Sequence, residues 1–529
     1  MEEELKNLKL AIYLIKEEYK DYTKVLKDSI SYQTYKFKDE MEVEGAVLIG
    51  KEKSSEPNWK SLLQEGVSDK LPDLHNTSNR ALAFFVVNGR IFAIPFGYGK
   101  HLLEEESIDR EFGLKTALNV INADKLISVD KANVGDLSLL TKTQASKKGT
   151  PDLFNIDVIR DLLKGITGER SMVLSEEFGS AITGGEGLYL SPRTNIKKIP
   201  GILARLETEY RKDTYKDRFD WIDNIKTEKD PGVIDILKGK LIADMRTRNV
   251  DSLHLAPPFI IKWEELEYVS YSPKGELYNG FEIEDFYAEK STAIDIADWD
   301  WLQRQKIYVK LSTFDEPYAF YVWRFINYQV ESGSNHYVFT LFNWYKVNPS
   351  YYREMYDYCS KISESKTVFI PCEKSYDEGE YNSELADSDG NLMLFDKKMV
   401  KSEISRSGIE VCDVFNVKEK EFIHVKFRNS SATLSHLFAQ GRIAGNSLRR
   451  DRHFRVNLRA KLKADKDLVP IENKDFSPGD YTITYAIIES KKRKFVDALP
   501  FFSLVNFRLT AEELQVMGFK VRVKNIQII

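Results

Sequence analysis

Between Gly408 and Arg455 the spacing of hydrophobic positions changes character. Ile409–Phe415 and Phe422–Phe427 are apolar runs of strand length, divided by the charged segment Asn416–Glu421. Beyond Asn429-Ser430-Ser431, which suits a helix N-cap, Leu434, Leu437, Phe438 and Gly441 recur at i, i+3, i+4 and i+7. The stretch predicts strand, turn, strand, helix. Just upstream, Tyr376–Ala386 predicts a helix with Glu380 and Glu384 on one face.

The same patterning, followed along the chain, predicts a strand at Leu8–Ile15, helical character over Lys16–Lys27, and a hairpin over Ala81–Phe96 turning at Asn88-Gly89. Phe112–Asn119 reads as a helix, Ser128–Asp152 as a polar stretch, Ile156–Leu163 as a helix, Leu188–Leu190 as a strand and Ile202–Asp217 as an amphipathic helix. Pro257-Pro258 closes this half. Ala319–Val330 and His336–Val347 are long aromatic strand-like runs, and Tyr351–Ile362 is helical. Past the basic run come strands at Tyr481–Ile488 and Phe495–Leu509, a short helix at Ala511–Met517 and a last strand at Val521–Ile528. The expected class is mixed α/β (α+β), multidomain. A regulatory or sensor domain would occupy 1–255, an acidic aromatic linker 256–300 and a further domain 301–529.

Composition narrows the class. With 529 residues, 42% of them hydrophobic, the chain can build several packed cores. Three cysteines, Cys359, Cys372 and Cys412, exclude a disulfide framework, and Cys412 reads as a small core residue. No run is long and apolar enough to span a membrane, and the acidic start Met-Glu-Glu-Glu does not resemble a signal peptide, so a cytoplasmic protein is expected. Net charge is -5, yet residues 401–529 hold 24 Lys+Arg against 15 Asp+Glu, a basic module on an acidic body. Its densest part, Arg442, Arg449, Arg450, Arg452, Arg455, Arg459, Lys461 and Lys463, is opposed only by Asp451 and would attract a phosphate backbone. Lys491-Lys-Arg-Lys494 reads instead as an exposed loop between strands. Two glycine-rich turns, Phe96-Gly-Tyr-Gly-Lys100 and Thr183-Gly-Gly-Glu-Gly187, lack the continuation of a phosphate-binding loop.

Candidate chemistry lies in the first stretch. Strand side chains alternate, so His424 and Lys426 share a face, and Asp413 on the preceding strand could meet them. A carboxylate, an imidazole and an ammonium together could hold a divalent cation and steady charge on a phosphate. Glu380 or Glu384 would help hold the cation, while His436 and Gln440, on one flank of the following helix, would position the reacting groups. The layout resembles the restriction-endonuclease-like (PD-(D/E)XK) nuclease superfamily, whose core places an acid on one strand and Glu-x-Lys on the next. That resemblance implies a C-terminal α-β-β-β-α core with a mixed sheet. This chain departs from it at His424-Val-Lys426, and imidazole suits Mn2+ better than Mg2+, so the expected metal site of Asp413 and His424 is either altered in preference or inactive.

Over nearly its whole length the chain also resembles a sporadically distributed bacterial family of unassigned biochemistry, found on mobile elements and beside antiphage systems. The landmarks are Phe112-Gly-Leu-Lys, Glu410-Val-Cys-Asp, Ile423-His-Val-Lys, Leu434-Ser-His-Leu-Phe-Ala-Gln-Gly and Leu499-Pro-Phe-Phe-Ser, together with Phe96-Gly-Tyr-Gly-Lys-His and Phe219-x-Trp-Ile-Asp-Asn-Ile. The combined expectation is an antiphage defence protein with a Mg2+- or Mn2+-dependent nuclease-like domain. Its partners would be nucleic acid, DNA before RNA, a phage-encoded trigger and a second copy of the chain, with no membrane. Two alternatives remain: a catalytically inactive nucleic-acid-binding sensor, and a protein-interaction scaffold that recognises a phage component.

Overall fold

The Asn88-Gly89 hairpin forms as its turn residues require, with φ of 52° and 73° joining strands Arg80–Val87 and Arg90–Gly97. The computed structural model describes the chain apart from residues 1–4, 28–30, 51–52, 58, 134–138, 155, 157–160, 172–177, 259–264, 313–316, 403–407 and 429–430. It is a mixed α+β protein that divides into two units, residues 1–132 with 140–222 and, in the main, 223–529.

In the first unit the hairpin sits within a ten-stranded sheet. Helix Glu111–Val120 packs on that sheet through glycine: a side chain on Gly113 would lie 2.2 Å from the Gly187 carbonyl, and one on Gly184 would lie 2.2 Å from the Gly113 carbonyl. The glycine-rich turn of residues 183–187 therefore serves helix–sheet contact, with Glu186 taken up by Lys100 at 2.7 Å and Arg110 at 3.0 Å. Three expectations change here. Lys16–Lys27 forms only a 3-10 turn, Tyr22–Val25, whose Val25 is buried together with the adjoining Leu26. The polar stretch 128–152 lies mostly in two long strands, Ile121–Asn133 and Leu139–Gly149, at the sheet's outer end, where one face tolerates water. The helix expected at Ile156–Leu163 gives way to a strand, Asp161–Arg170, with residues 157–160 outside the described set.

In the second unit, residues 256–300 are not a linker. Phe281, Ile283, Phe286, Tyr287 and Ile294 enter one core that runs from Leu237 to Trp344, and strand Leu253–Leu255 pairs with Ile326–Tyr328 across both expected boundaries. Of the acidic residues that suggested a linker, Glu284 and Asp295 lie on the exposed side of the amphipathic helix Ile283–Asp295.

The candidate site belongs to the last 180 or so residues of this unit. Helices α1 (Pro349–Ser360) and α2 (Glu378–Asp387) precede the short strands β1 (Leu392–Leu394), β2 (Met399–Lys401), β3 (Gly408–Glu410) and β4 (Val414–Asn416). Strand β5 (Glu421–Phe427), helices α3 (Ser431–Arg450) and α4 (Arg452–Leu462), strand β6 (Thr482–Glu489), helix α5 (Phe501–Val516) and strand β7 (Lys520–Gln527) follow. The sheet order is β1-β4-β5-β6-β7, antiparallel as far as β5 and parallel from β5 through β7. The expected strand Ile409–Phe415 is thus two strands, β3 pairing with β2 and β4 with β5, with a break at residues 411–413. Phe495–Leu509, read as a strand, is mostly α5, whose Phe501, Leu504, Val505, Phe507 and Ala511 are all buried. A segment apolar on every side carries no period by which to tell helix from strand. The N-cap expected at Asn429-Ser430 lies outside the described residues.

Candidate metal centre

Where the chain breaks between β3 and β4, Asp413 is held by backbone. Its N–H donates to the Ile423 carbonyl at 2.9 Å, and its own carbonyl accepts from Phe395 and Asp396 at 2.7 and 2.9 Å. Its Oδ2 accepts the Val425 N–H at 2.7 Å. The turn after β1 is therefore tied to the edge of β4, which brings Asp396 beside Asp413. Lys397 adopts a left-handed φ of 59°, and its N–H donates to Glu410 Oε1 at 2.5 Å. Three carboxylates result, Asp396, Glu410 and Asp413, each with an oxygen within 4.8 Å of the others.

The surroundings of this trio are polar in an organised way. Lys426 pairs with Glu378 at 2.5 Å, and Glu378 stands in the first turn of α2. Gly379 also faces the trio: a side chain there would lie 3.4 Å from Asp396 Oδ2. Gln440 on α3 donates to Glu410 at 3.3 Å, while its Oε1 is buried without a hydrogen-bond partner among the described residues. One turn beyond Glu378, Asn382 is fully buried with neither amide atom hydrogen-bonded among the described residues, an uncommon state for a core amide. Burial pushes the Asp413 carboxyl up to about 7, the Val425 N–H opposes that rise, and Glu410 and Glu378 add to it. A cation would remove this tension, because burial penalises a charge that a bound metal neutralises.

His424 does not join the trio. Its ring is 1% exposed, lies near-parallel to Tyr485 at 6.0 Å, and its Nε2 has no hydrogen-bond partner among the described residues. Burial lowers its pKa to about 3, so it is a neutral core ring. The expected pairing of Asp413 with His424 as ligands is accordingly not what the structure assembles; Asp396 and Glu410 stand beside Asp413 instead. Glu380 is spent on a capping box with Asp377 and Glu384 is exposed, so the glutamate that α2 turns toward Lys426 is Glu378. His436 is exposed on α3, whereas Gln440 reaches the site.

The basic run does not form a continuous charged face. Arg455 is 0% exposed and donates to the carbonyls of Leu448 and Ile471, which makes it a structural tie between helix and loop. Arg459 bridges Asp467 and two carbonyls, Arg452 pairs with Glu472 at 2.8 Å, and Arg442 lies 3.6 Å from Glu513. Arg449, Arg450, Lys461 and Lys463 remain exposed.

A family model spans residues 10–527. The chain belongs to that family, described as a family of unknown function, DUF6119. No curated protein and no solved structure matches this DUF6119 chain. Among the described residues no helix is long and apolar enough to cross a membrane. For this DUF6119 member, Asp396, Glu410 and Glu378 are the site residues that sequence reasoning did not select. The Glu410-Val-Cys-Asp413 landmark pointed toward Glu410, and the helix expected at Tyr376–Ala386 carried Glu378.

Proposed function

We propose that the C-terminal part of the second unit is a metal-dependent phosphodiesterase acting on nucleic acid, with Asp396, Glu410 and Asp413 holding the cation. The observation that carries this reading is the convergence of these three carboxylates with the Glu378–Lys426 pair at one end of β5. Oxygen donors alone suit Mg2+ as well as Mn2+, so the metal preference expected from His424 no longer applies. The order of elements supports it as well: α2, then β1, β4 and β5 as an antiparallel set, then α3 crossing to the parallel β6. That is the order expected of a restriction-endonuclease-like core.

In this reading Asp396, Glu410 and Asp413 would hold the cation, which would supply Lewis-acid chemistry to an attacking water and to a phosphate oxygen. Lys426 steadies the negative charge that develops during in-line attack, and Glu378 fixes the direction of its ammonium group. Gln440 holds Glu410 in place through its side-chain amide. A role in antiphage defence follows from the family resemblance and stays part of the same proposal, as do a phage trigger and cytoplasmic action.

The test is incubation of the purified protein with supercoiled plasmid, single-stranded DNA and RNA in Mg2+, Mn2+ or chelator. Metal-dependent cleavage that disappears in the Asp413→Ala, Lys426→Ala double variant supports the proposal. Cleavage that survives in that variant rules it out.

A further inference from the structure

Because β5 and β6 are parallel, with Lys426 opposite Ile487, both strands finish at the same edge of the sheet. The segment leaving β6 is Ser490-Lys491-Lys492-Arg493-Lys494. Its arginine points inward. Arg493 forks onto the buried carboxylate of Glu489 at 2.6 to 3.0 Å, and Asn525 donates to both Glu489 (2.7 Å) and the Arg493 carbonyl (2.9 Å). This network fixes the loop and leaves Lys491, Lys492 and Lys494 exposed, none of them in an ion pair among the described residues. In the run from Arg442 to Arg459, by contrast, four arginines are already engaged by protein groups.

Further along the same segment, Asp497 accepts the hydroxyl of Tyr356 at 2.6 Å. Tyr356 and Tyr352, one turn apart on α1, line a cavity of about 380 Å3 together with His336 and Arg353. The His336 ring lies on Tyr352 with centroids 3.6 Å apart and planes 18° from parallel, and Tyr352 and Tyr356 are 26° from parallel. Burial lowers the pKa of His336, which favours the neutral ring for stacking. Arg353 is exposed and has no ion-pair partner among the described residues.

We propose that this loop and this cavity form a track for a single-stranded polynucleotide, with backbone phosphates on Lys491, Lys492 and Lys494 and an unpaired base stacked against His336, Tyr352 and Tyr356. Three unneutralised ammonium groups on an anchored loop match the charge of a phosphate chain. The flat-walled cavity matches a base whose face is free, whereas bases within a duplex are covered by their neighbours and cannot enter. Lys426 lies at the same sheet edge, so a strand on this track is directed to the carboxylates. The proposal rests on the nuclease reading for its destination and not for the binding itself.

Fluorescence anisotropy of the full-length protein in chelator, with a labelled single-stranded oligonucleotide and the matching duplex, tests it. The wild type is expected to prefer the single strand. Replacing all three lysines (Lys491→Gln, Lys492→Gln, Lys494→Gln) is expected to reduce the slope of log affinity against log salt by about 2, from ~0.7 per phosphate on single strands. Tyr352→Ala is expected to weaken single-strand binding about five- to a hundredfold, with Tyr352→Phe restoring it. An unchanged slope in the triple variant, equal binding of duplex and single strand, or no binding by the wild type overturns the track. If binding behaves as expected but no metal gives cleavage, the nuclease reading falls and the track stands. If cleavage is metal-dependent while the triple variant binds like wild type, the reverse holds.

Discussion

Replacing Asp413 by Asn is the sharpest test of the carboxylate site, because it separates the charge of the residue from its shape. The amide can still accept the Val425 N–H, so the geometry survives while the buried negative charge is removed. A carboxyl that titrates near 7 when folded, instead of at 3.8, destabilises the metal-free protein once it is ionised, by about 1.4 kcal/mol for each pH step between the two values, or ~4 kcal/mol in all. The sign follows from proton counting. Between pH 4 and 7 the native state holds the proton that the unfolded state has lost, so wild-type stability falls as pH rises through that window and levels off above it. Asp413→Asn lacks this loss. At pH 8 without metal the variant should therefore be the more stable by about 2–4 kcal/mol, with little difference at pH 4.5. If the second unit, roughly 300 residues, melts cooperatively, 4 kcal/mol corresponds to about 6 °C. Divalent metal should reverse the order at pH 8, stabilising wild type and not the variant, and its affinity for wild type should rise about tenfold per pH unit below 7. Calorimetric melts of both proteins at the two pH values, with metal and with chelator, measure all of this. A variant less stable than wild type at pH 8 in chelator, or one stabilised equally by metal, would refute the reasoning.

Glu378→Gln should leave metal affinity within about threefold while lowering cleavage at least tenfold, through loss of the ion pair that orients Lys426, as read by single-turnover assays. His424→Phe should preserve metal affinity within about twofold by titration calorimetry, because the ring lies outside the carboxylate trio; a tenfold loss would return His424 to the ligand set. Arg455→Met should destabilise the second unit by about 3 kcal/mol in denaturant unfolding, since the Leu448 and Ile471 carbonyls lose a charged donor. Gly113→Ala should destabilise the first unit by about 1–3 kcal/mol, its methyl group meeting the Gly187 carbonyl.

Local pattern carried much of the architecture. The Asn-Gly hairpin, helix Glu111–Val120, strand β5 and helix α3 were all legible because each combines one clear period with a recognisable start or stop. Long-range packing overrode pattern elsewhere. Helix α5 is buried on nearly every side by the sheet and by α1 and α3, so its sequence looks like a central strand. The acidic aromatic segment around Phe281–Ile294 looked like a linker because its charge was visible and its partner, a core assembled from residues 237–344, was distant in sequence.

The site was half legible for a reason rooted in which segments carry its carboxylates. Asp413, Lys426 and Gln440 sit at or beside regular elements, where alternation and helical spacing predict which side chains converge. Asp396 and Glu410 occupy a turn and the end of a short two-stranded ribbon, and their convergence depends on the Asp413 carbonyl gripping residues 395 and 396 and on Lys397 taking a left-handed conformation. Neither feature has a period. The position where the nuclease pattern places a carboxylate on β5 carries His424 turned into the core, while carboxylates from β3 and the turn after β1 reach the space beside Asp413. Carboxylates supplied by turns rather than by the strand could hold a cation although the strand motif is broken. This also explains why loss of the strand carboxylate need not mean loss of metal binding: what a hard cation requires is convergent oxygen atoms, whichever segment delivers them.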